Sequence, residues 1–481
     1  MIRTIRKART VTELLILVVI DAATILFIMH LALYFRVHIA PRFSSRFPGE
    51  DPRLSWGFVA VVLAMWLFFM FYEGLYQKAR SFWDEVRVLW KVIFFSTVGI
   101  FAFASMGKFS DRISRTVIVV AGISSLILLP AVRITAKALL RRIGLFKRRV
   151  IILGAGKTGE LIAGAISNDP NYGYELSAFI DDDPEKEGTL IRGVKVHSGV
   201  DMWAQKIQRL DISDVILAMP GIGKDRLAGL INLYQHKAAR ILFVPDLFGI
   251  AVFGTNLQHF FNEQALVFEL KNNLANPINL ALKRLTDILF CIFVLPFLLV
   301  PLSIMMIVIR LSSKGPALYT QERIGRDLKP FKCYKFRTMY DDADGRLKVL
   351  LEQSAAAREE WEHYRKLKDD PRVTRVGRLL RVTSMDELPQ VFNVLKGEMS
   401  LVGPRPVTQE EIDDNYRENA DLCFSVPPGM TGLWQVSGRS TTTYGMRIRL
   451  DAWYVKNWNL WLDFIILLRT VRALFNRNWA A

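Results

Sequence analysis

Four long apolar stretches dominate the first 140 residues, near positions 11–35, 55–76, 88–106 and 115–139. Each approaches the roughly 20 residues that a helix needs to cross the hydrocarbon core of a membrane. The first stretch lacks a small-residue cleavage site and is too long for a signal peptide, so we interpret it as a retained membrane helix. The sequence therefore predicts a bundle of four transmembrane helices over residues 1–146, in a chain that is 51% hydrophobic.

Charged residues in and around these stretches bear on packing and orientation. Asp21 and Arg133 lie within or near apolar stretches, where an ionised side chain is costly unless paired, so we expect them to form structural pairs within the bundle. Basic residues precede the first stretch and follow the fourth, which favours a cytoplasmic location for both ends. The basic segment at 36–53 weakens this rule here.

The formal net charge of +17 is compatible with binding nucleic acid, anionic lipid or an anionic substrate. The sequence contains no basic run with interleaved aromatic residues, which is the pattern typical of a nucleic-acid-binding module. The net charge therefore favours binding to a membrane surface and to phosphate groups. Cys291, Cys333 and Cys423 lie far apart without metal-ligand spacing. They predict neither a zinc site nor a disulfide framework.

Alternating strand and helix patterns predict an α/β Rossmann-like domain over residues 147–262. Strands are expected near residues 148–153, 176–180, 215–219 and 241–245. Three glycines follow the first strand in dinucleotide-binding spacing, and an acidic residue follows the second strand where a ribose would be held. These residues, a possible accessory nucleotide site, are Gly154, Gly156, Gly159 and Asp181.

Whether this domain binds a nucleotide stays open, because the same glycines also serve a tight turn and close helix packing. If it were the catalytic domain, the chain would be a membrane-tethered NAD-dependent nucleotide-sugar epimerase or dehydratase. Such enzymes usually need a Tyr-x-x-x-Lys pair near the cofactor. The sequence offers only Tyr364 and Lys368, about two hundred residues beyond the glycines and past another apolar segment. This alternative is therefore weak.

A fifth apolar segment at residues 283–310 follows a linker at 263–282 and contains Pro296 and Pro301. Each proline removes a backbone donor and can break a helix. The sequence therefore predicts a re-entrant helix-break-helix that enters and leaves on the cytoplasmic face. The alternative is an ordinary transmembrane helix with a kink.

The adjacent carboxylates Asp386 and Glu387 are the most informative pair in the chain. Pro389 follows closely, which predicts that the pair lies in the first turn of a helix, where negative charge is favoured. Arginines surround the pair in sequence, at positions 372, 375, 378, 381 and 405. Carboxylates among guanidinium groups indicate phosphate chemistry with a divalent cation. The structural alternative is a capping box formed by Ser384 and Glu387.

Two further blocks flank this pair. Lys335 and Arg337 alternate along a predicted strand and point to one face, which suits a pyrophosphate or anionic headgroups. A turn-rich block at 427–439 contains Trp434, Gln435 and Arg439, a combination suited to a uridine nucleotide. The apolar segment at 460–475 carries scattered charges and is typical of a helix lying at the membrane interface.

From residue 283 to the C-terminus, these ordered blocks resemble the bacterial sugar transferases, the polyprenyl-phosphate hexose-1-phosphate transferases (monotopic phosphoglycosyl transferases). The resemblance implies a monotopic α/β catalytic domain over 283–481. It also implies transfer of a hexose-1-phosphate from a UDP-hexose to undecaprenyl phosphate, with release of UMP. This is the first membrane step of exopolysaccharide, O-antigen or capsule assembly, on the cytoplasmic face of the bacterial inner membrane.

The resemblance also implies residue roles. Asp386 is the nucleophile and a Mg²⁺ ligand, and Glu387 assists with metal binding or proton handling. Phosphate-binding roles fall to Arg381, Arg405, Lys335 and Arg337, and nucleotide-binding roles to Gln435 and Arg439. A homodimer is expected because the bundle and the α/β domain offer surfaces for it. A catalytically inactive membrane scaffold is a further alternative, and the hexose stays open.

Overall fold

The structure is a computed structural model that divides into two compact units, Met1–Asp246 and Leu247–Ala481. It describes residues 2–43, 56–77, 79–106, 114–246, 256–260, 265–269, 273–354, 358–359, 370–437 and 443–474.

The first unit begins with the predicted apolar helices. They are α1 (Ile2–Tyr34), α2 (Trp56–Tyr72), α3 (Phe82–Met106) and α4 (Arg115–Arg142). By length and composition, the segments Val11–Phe43, Phe82–Ser105 and Arg115–Arg142 could each cross a membrane, whereas α2 is shorter. All four helices contribute to one apolar core, in which Ile25, Met70, Leu89 and Leu129 are buried.

Buried charges inside this helical region are paired, as the sequence analysis expected for Asp21 and Arg133. The Arg133 guanidinium donates to Asp21 and, at 2.8 Å, to Glu85, and Lys137 also contacts Glu85. Pairing is required because an isolated buried charge is strongly destabilising. Glu85 also accepts a 2.6 Å hydrogen bond from Asn171 of the following domain, so the network joins the helices to that domain.

A six-stranded sheet forms the rest of this unit. Its strands are β1 (Arg148–Leu153), β2 (Tyr174–Ile180), β3 (Leu190–Ile191), β4 (Val194–His197), β5 (Asp214–Leu217) and β6 (Arg240–Phe243). The spatial order is β3-β4-β2-β1-β5-β6, with all neighbours parallel except β3 and β4. The crossover helices are α5 (Lys157–Asn168), α6 (Val200–Arg209) and α7 (Lys224–Gln235).

The sheet contains the four predicted strands and the short pair β3 and β4, which the sequence analysis did not predict. The sheet ends at Phe243 and the first unit at Asp246, whereas the predicted domain extended to residue 262.

The second unit opens with an antiparallel hairpin of β7 (Asn256–Phe260) and β8 (Ala265–Glu269). The remaining strands are β9 (Leu318–Ile324) and β10 (Pro330–Phe336), which are antiparallel, and β11 (Ser400–Val402) and β12 (Gly429–Thr431), which are parallel. The longer helices are α8 (Pro277–Ser312), α9 (Ala343–Gln353), α10 (Arg375–Val382), α11 (Val391–Lys396), α12 (Tyr444–Lys456) and α13 (Leu460–Leu474).

Helix α8 is continuous across Pro296 and Pro301, where the sequence analysis expected two helical segments separated by a break. An interior proline removes one backbone donor and crowds the preceding turn, which kinks a helix without necessarily ending it. The helix begins at Pro277, and the Asn276 side chain caps it by accepting from the Ile278 amide at 2.9 Å.

Polar anchors attach the first half of α8 to the core of the second unit. The Lys283 ammonium donates to the Val402 carbonyl at 2.9 Å and to Asp463 of α13 at 2.8 Å. Asp287 accepts from the Ser400 hydroxyl at 2.7 Å. These contacts hold β11 against α8, and they therefore also position the loop that follows β11.

Candidate active site

The carboxylate pair lies in a single 3-10 turn, Met385–Gln390, that leads directly into α11. This agrees with the prediction of a helical first turn. Ser384, which precedes the turn, has a left-handed backbone with a φ of 55°, and its side chain does not cap the turn. The Ser384 half of the predicted capping box is therefore not formed.

Glu387 is fixed by two cations from different parts of the unit. Its Oε1 accepts from the Lys335 ammonium at 2.9 Å and from the Arg405 guanidinium at 3.1 Å. Lys335 comes from β10, and Arg405 from the loop after β11. The nearby Glu387 carboxylate raises the pKa of Arg405. Glu387 is therefore held in place between two positively charged side chains.

Asp386 is in a different environment. Among the described residues, no side chain forms a hydrogen bond or an ion pair with its carboxylate. Burial, and then the adjacent Glu387 charge, raise the pKa of Asp386, while Lys335 and Arg381 act in the opposite direction. Asp386 thus presents a partly desolvated carboxylate whose oxygens are not engaged by a protein cation.

The Arg381 guanidinium acts on this carboxylate through its charge, without a direct contact, and is fixed by a hydroxyl group. Its Nε donates to the Thr338 hydroxyl at 2.9 Å, and its charge acts on Asp386. Thr338 follows β10 directly, so one stretch of chain positions both Lys335 and Arg381 around the pair.

The structure does not place Arg337 with Lys335. Its buried guanidinium donates to the Ser313 carbonyl at 2.8 Å and hydroxyl at 2.9 Å, at the end of α8. Gly315 has a φ of +109°, and a Cβ there would lie 2.1 Å from Arg337 Nη1. Arg337 is therefore packed against the turn that follows α8.

A pocket opens beside Glu387. It is lined by Arg323, Cys333, Lys335, Glu387, Gln390, Arg405, Pro406, Gly429 and Met430. Its wall depends on a close approach of the start of β12 to the residue after β11, since a Cβ on Gly429 would lie 2.1 Å from the Gly403 amide nitrogen. The sequence analysis assigned no function to Arg323, and only its position in the block before Lys335 pointed to it.

The predicted nucleotide block is described only in part. Gln435 is buried, and its amide donates to the Met430 carbonyl at 3.4 Å, which links it to a pocket-lining residue. The Trp434 ring faces the Arg447 guanidinium at 4.9 Å. Arg439 lies outside the described residues.

The glycine loop of the α/β domain has the close packing that its sequence predicts. Gly154 has a φ of +105°, and a Cβ on Gly159 would lie 2.1 Å from the Gly154 carbonyl oxygen. Asp181 lies at this loop and accepts from the Ala155 amide at 2.7 Å and from the Asp183 amide at 3.0 Å. The acidic side chain thus engages a loop amide.

A divalent cation would have few protein ligands at the carboxylate pair. Among the described residues, no group of three or more His, Cys, Asp or Glu side chains could hold a metal ion. Mg²⁺ commonly binds through one or two carboxylates together with substrate phosphates and water. Asp386 and Glu387 fit that kind of site.

Comparisons with known proteins agree with this architecture. The bacterial sugar transferase family model matches residues 278–477, and the CoA-binding domain model matches residues 68–245. The undecaprenyl-phosphate galactose phosphotransferase of Salmonella typhimurium is 36% identical over 89% of this chain and 89% of its own length. The UDP-galactose-lipid carrier transferase of Erwinia amylovora is 34% identical over 88% and 87%.

A third relative is the UDP-glucose:undecaprenyl-phosphate glucose-1-phosphate transferase of Klebsiella pneumoniae, which is 30% identical over 81% of both chains. Identity at this level over most of both chains, together with the matched catalytic segment, shows that the chain belongs to the bacterial sugar transferase family.

Proposed function

We propose that this protein transfers a hexose-1-phosphate from a UDP-hexose to undecaprenyl phosphate and releases UMP. The observation that carries the proposal is the asymmetry of the carboxylate pair. Glu387 is bound by Lys335 and Arg405, whereas Asp386 has no cationic partner of its own among the described residues. The relatives named for galactose or glucose phosphotransfer to undecaprenyl phosphate support this choice of reaction.

The first step is attack by an Asp386 carboxylate oxygen on the sugar-linked phosphorus of the donor. A bond forms between that oxygen and phosphorus, and the bond from phosphorus to the bridging oxygen breaks, so UMP leaves. A carboxylate needs no general base for this step, because it is already ionised at neutral pH. Its lack of a cationic partner leaves an oxygen available for attack.

In the second step, an oxygen of undecaprenyl phosphate attacks the same phosphorus and displaces the Asp386 carboxylate. The product is undecaprenyl-diphosphate-hexose, and the enzyme regains its starting state. Arg381, whose charge acts on Asp386, and the Lys335–Glu387–Arg405 group offset the repulsion between the anionic reactants. We place Arg337 at the membrane side of this group, where α8 ends.

We propose that Asp386, with Glu387 beside it, holds Mg²⁺ together with the phosphates of the donor. When bound, the ion would neutralise the charge that develops on the departing UMP oxygen. The burial of Asp386 and its proximity to Glu387 support this, since a cation would relieve the repulsion between the two carboxylates.

Removal of divalent cations is expected to stop turnover. Excess EDTA should reduce UMP release from a UDP-hexose and undecaprenyl phosphate to background, because the charge on the leaving group would then be unsupported. Added Mg²⁺ in excess over EDTA should restore the rate, which serves as the control for damage to the protein. A rate that EDTA leaves unchanged would remove Mg²⁺ from the mechanism.

We further propose that α8 bends at Pro296 and Pro301 and returns to the face at which it enters, instead of crossing the membrane. Contacts with the second unit are distributed along the helix: Lys283, Asp287 and Leu295 contact one side of the catalytic core, and Leu298 and Leu302 pack on another part of it. By length and composition α8 could also cross a membrane, but buried residues near both ends of its apolar stretch, Asp287 and Ile309, pack on the same unit, which supports the one-face arrangement.

The opposite side of α8 is apolar and exposed, which suits contact with lipid. Large hydrophobic side chains on this side include Leu289, Phe293, Phe297, Val300, Ile304 and Leu311, each about half or more exposed. A helix with one face on the domain and the other in lipid keeps the catalytic site at the membrane surface, where the lipid phosphate lies.

Cysteine accessibility tests this topology. In spheroplasts and inverted vesicles, Asp225→Cys on α7 and Asp421→Cys near Cys423 should react with an impermeant maleimide from the same, cytoplasmic side. The wild-type chain is the background control, because its three cysteines are buried. Labelling of the two variants from opposite sides would show that α8 crosses the membrane.

We propose that the enzyme lies in the bacterial inner membrane and catalyses the first membrane step of a surface glycan pathway, which the relatives named for transfer to undecaprenyl phosphate support. The α/β domain is then an accessory domain, since the residues proposed for catalysis all come from the second unit. In the glycine loop, the Ala155 amide already donates to the Asp181 carboxylate. This contact supports an accessory role for the domain. We propose a homodimer formed through the apolar helices or the α/β domain.

A further inference from the structure

Arg323 lines the same pocket as Lys335, Glu387 and Arg405, but its carboxylate partner is a different residue. Its Nη1 donates to Glu411 Oε2 at 3.2 Å, and its Nη2 donates to Gln321 at 2.8 Å. The contact arises because the Ile324 amide donates to the Val407 carbonyl at 2.8 Å, which places the end of β9 beside the segment that contains Glu411. A pocket-lining guanidinium is thus neutralised by a carboxylate that does not line the pocket.

Glu411 is shared with a second guanidinium. Its Oε1 lies 3.6 Å from Arg447 Nη1 and accepts from the Tyr444 hydroxyl at 3.3 Å. Its Oε2 also accepts from the Thr408 amide at 3.0 Å, completing a capping box at the start of a short helix. One oxygen therefore faces Arg323 and the other faces Arg447.

Arg447 is buried and incompletely bonded. Its Nε and Nη2 have no hydrogen-bond partner among the described residues, and Asp451 is 4.0 Å from Nε. Trp434 and Tyr444 face its guanidinium at 4.9 Å, which stabilises the cation without satisfying its donors. Buried donors are usually bonded, so unbonded ones at a shared carboxylate point to a second arrangement of that carboxylate.

We propose that Arg323 is a further phosphate-binding residue of the donor site, and that Glu411 neutralises it until the donor diphosphate enters. The incoming phosphate then takes the place of Glu411 on Arg323, and the Glu411 carboxylate turns toward the unbonded donors of Arg447. This inference rests on the proposed function, because it takes the pocket ligand to be a nucleoside diphosphate.

The arrangement gives the pocket two charge states. Without ligand, Glu387 and Glu411 offset part of the positive charge of Lys335, Arg405 and Arg323, which limits repulsion among cations in one small pocket. With ligand, Arg323 adds a charge-assisted hydrogen bond to the phosphate, and Arg447 gains one to Glu411. The Thr408 amide keeps its hydrogen bond to one carboxylate oxygen, so the carboxylate needs only a small rotation about that oxygen to change partners.

Equilibrium binding of UDP to the full chain in nanodiscs, with Mg²⁺ present, tests this exchange. UDP carries the diphosphate but no sugar, so it binds without reacting. Arg323→Gln should weaken binding about tenfold or more, because a hydrogen bond to a charged phosphate is lost. Glu411→Gln should tighten binding several-fold, because the competing carboxylate is gone while an amide oxygen can still complete the capping box.

The Arg447 variants separate exchange from a structural role. Arg447→Met should weaken UDP binding about tenfold in the presence of Glu411, and less than about twofold in the Glu411→Gln background. Arg447→Lys should retain part of the affinity and serves where the methionine variant does not fold. Arg326→Gln, an exposed arginine near the end of β9, is the matched control and should bind UDP as the wild type does.

The inference is overturned if Arg323→Gln binds UDP normally, if Glu411→Gln weakens binding, or if Arg447→Met has the same effect in both backgrounds. Its failure is distinct from that of the proposed function. Wild-type protein that binds UDP, with Arg323→Gln unaffected, removes only the role of Arg323. Wild-type protein that releases no UMP from any UDP-hexose removes the transferase function itself.

Discussion

Replacing Asp386 by asparagine is expected to lower the rate of hexose-phosphate transfer by about 10⁴-fold or more. The amide has nearly the same shape as the carboxylate but is a very weak nucleophile, so the first bond to phosphorus cannot form at a useful rate. The measurement is UMP release, using a panel of UDP-hexoses with undecaprenyl phosphate. The panel also identifies the hexose that the wild-type enzyme prefers.

Two matched variants separate the role of Asp386 from a general effect of charge. Glu387→Gln keeps the nucleophile but weakens the contacts with Lys335 and Arg405, and is expected to cost about 10- to 100-fold. Asp413→Asn changes an exposed carboxylate of the same unit and should leave the rate unchanged. Near-full activity of Asp386→Asn would contradict the nucleophilic role, and an inactive scaffold would show no transfer even in the wild type.

The Asp386→Asn substitution is predicted to lower activity without lowering the stability of the fold. Burial and Glu387 raise the pKa of Asp386, so the folded state holds this proton more tightly than the unfolded chain. The ionised group therefore costs the fold stability at neutral pH, and this cost disappears as the pH falls through the raised pKa. A neutral asparagine should keep or slightly raise the melting temperature, so lost activity would not reflect unfolding.

The same pKa shift predicts how transfer depends on pH. The nucleophile must be ionised, so the rate should fall on acidification, and this fall should move to higher pH when Mg²⁺ is limiting, because the ion offsets the Glu387 charge that helps to raise the pKa of Asp386. Measuring UMP release by the wild-type enzyme over a range of pH, with Mg²⁺ limiting or in excess, tests this prediction.

The sequence predicted the helical turn of the carboxylate pair because Pro389 and the adjacent charges are local signals. It also predicted β1, β2, β5 and β6, since buried parallel strands form short apolar runs bounded by glycine and polar residues. The strands β3 and β4 escaped prediction because they are only two and four residues long, too short for a periodic pattern.

Which cation meets which carboxylate could not be predicted from the sequence. Lys335 and Arg337 alternate along one strand, yet only Lys335 contacts Glu387, because Arg337 follows the end of β10 and bonds to Ser313. The Glu411 contacts with Arg323 and Arg447 are equally long-range. They depend on how β9 and α12 pack around the segment after Arg405, which no local pattern encodes.

The continuity of α8 also could not be predicted from its local sequence. Pro296 and Pro301 gave a strong local signal for a break, but helix-forming apolar neighbours kept the segment helical. The one-sided topology that the break was expected to produce is supported instead by the contacts of Asp287 and Leu302 with one domain. Tertiary packing, and not a break in the helix, is the better guide here.

A covalent intermediate on Asp386 is the second large effect and follows from the two-step reaction. Without undecaprenyl phosphate, the first step can proceed and the second cannot, so hexose phosphate should remain on the protein. Up to about one hexose phosphate per chain is the limit, because each chain has one Asp386. Subsequent addition of undecaprenyl phosphate should remove it, and Asp386→Asn should never acquire it.

The most direct test of the account is intact-mass analysis of the full chain, quenched after incubation with Mg²⁺ and its preferred UDP-hexose in the absence of lipid. We expect a mass increase of one hexose phosphate, mapped by peptide sequencing to Asp386 and reversed by undecaprenyl phosphate. An unmodified protein that still transfers sugar phosphate when lipid is present, or a modification on another residue, would contradict it.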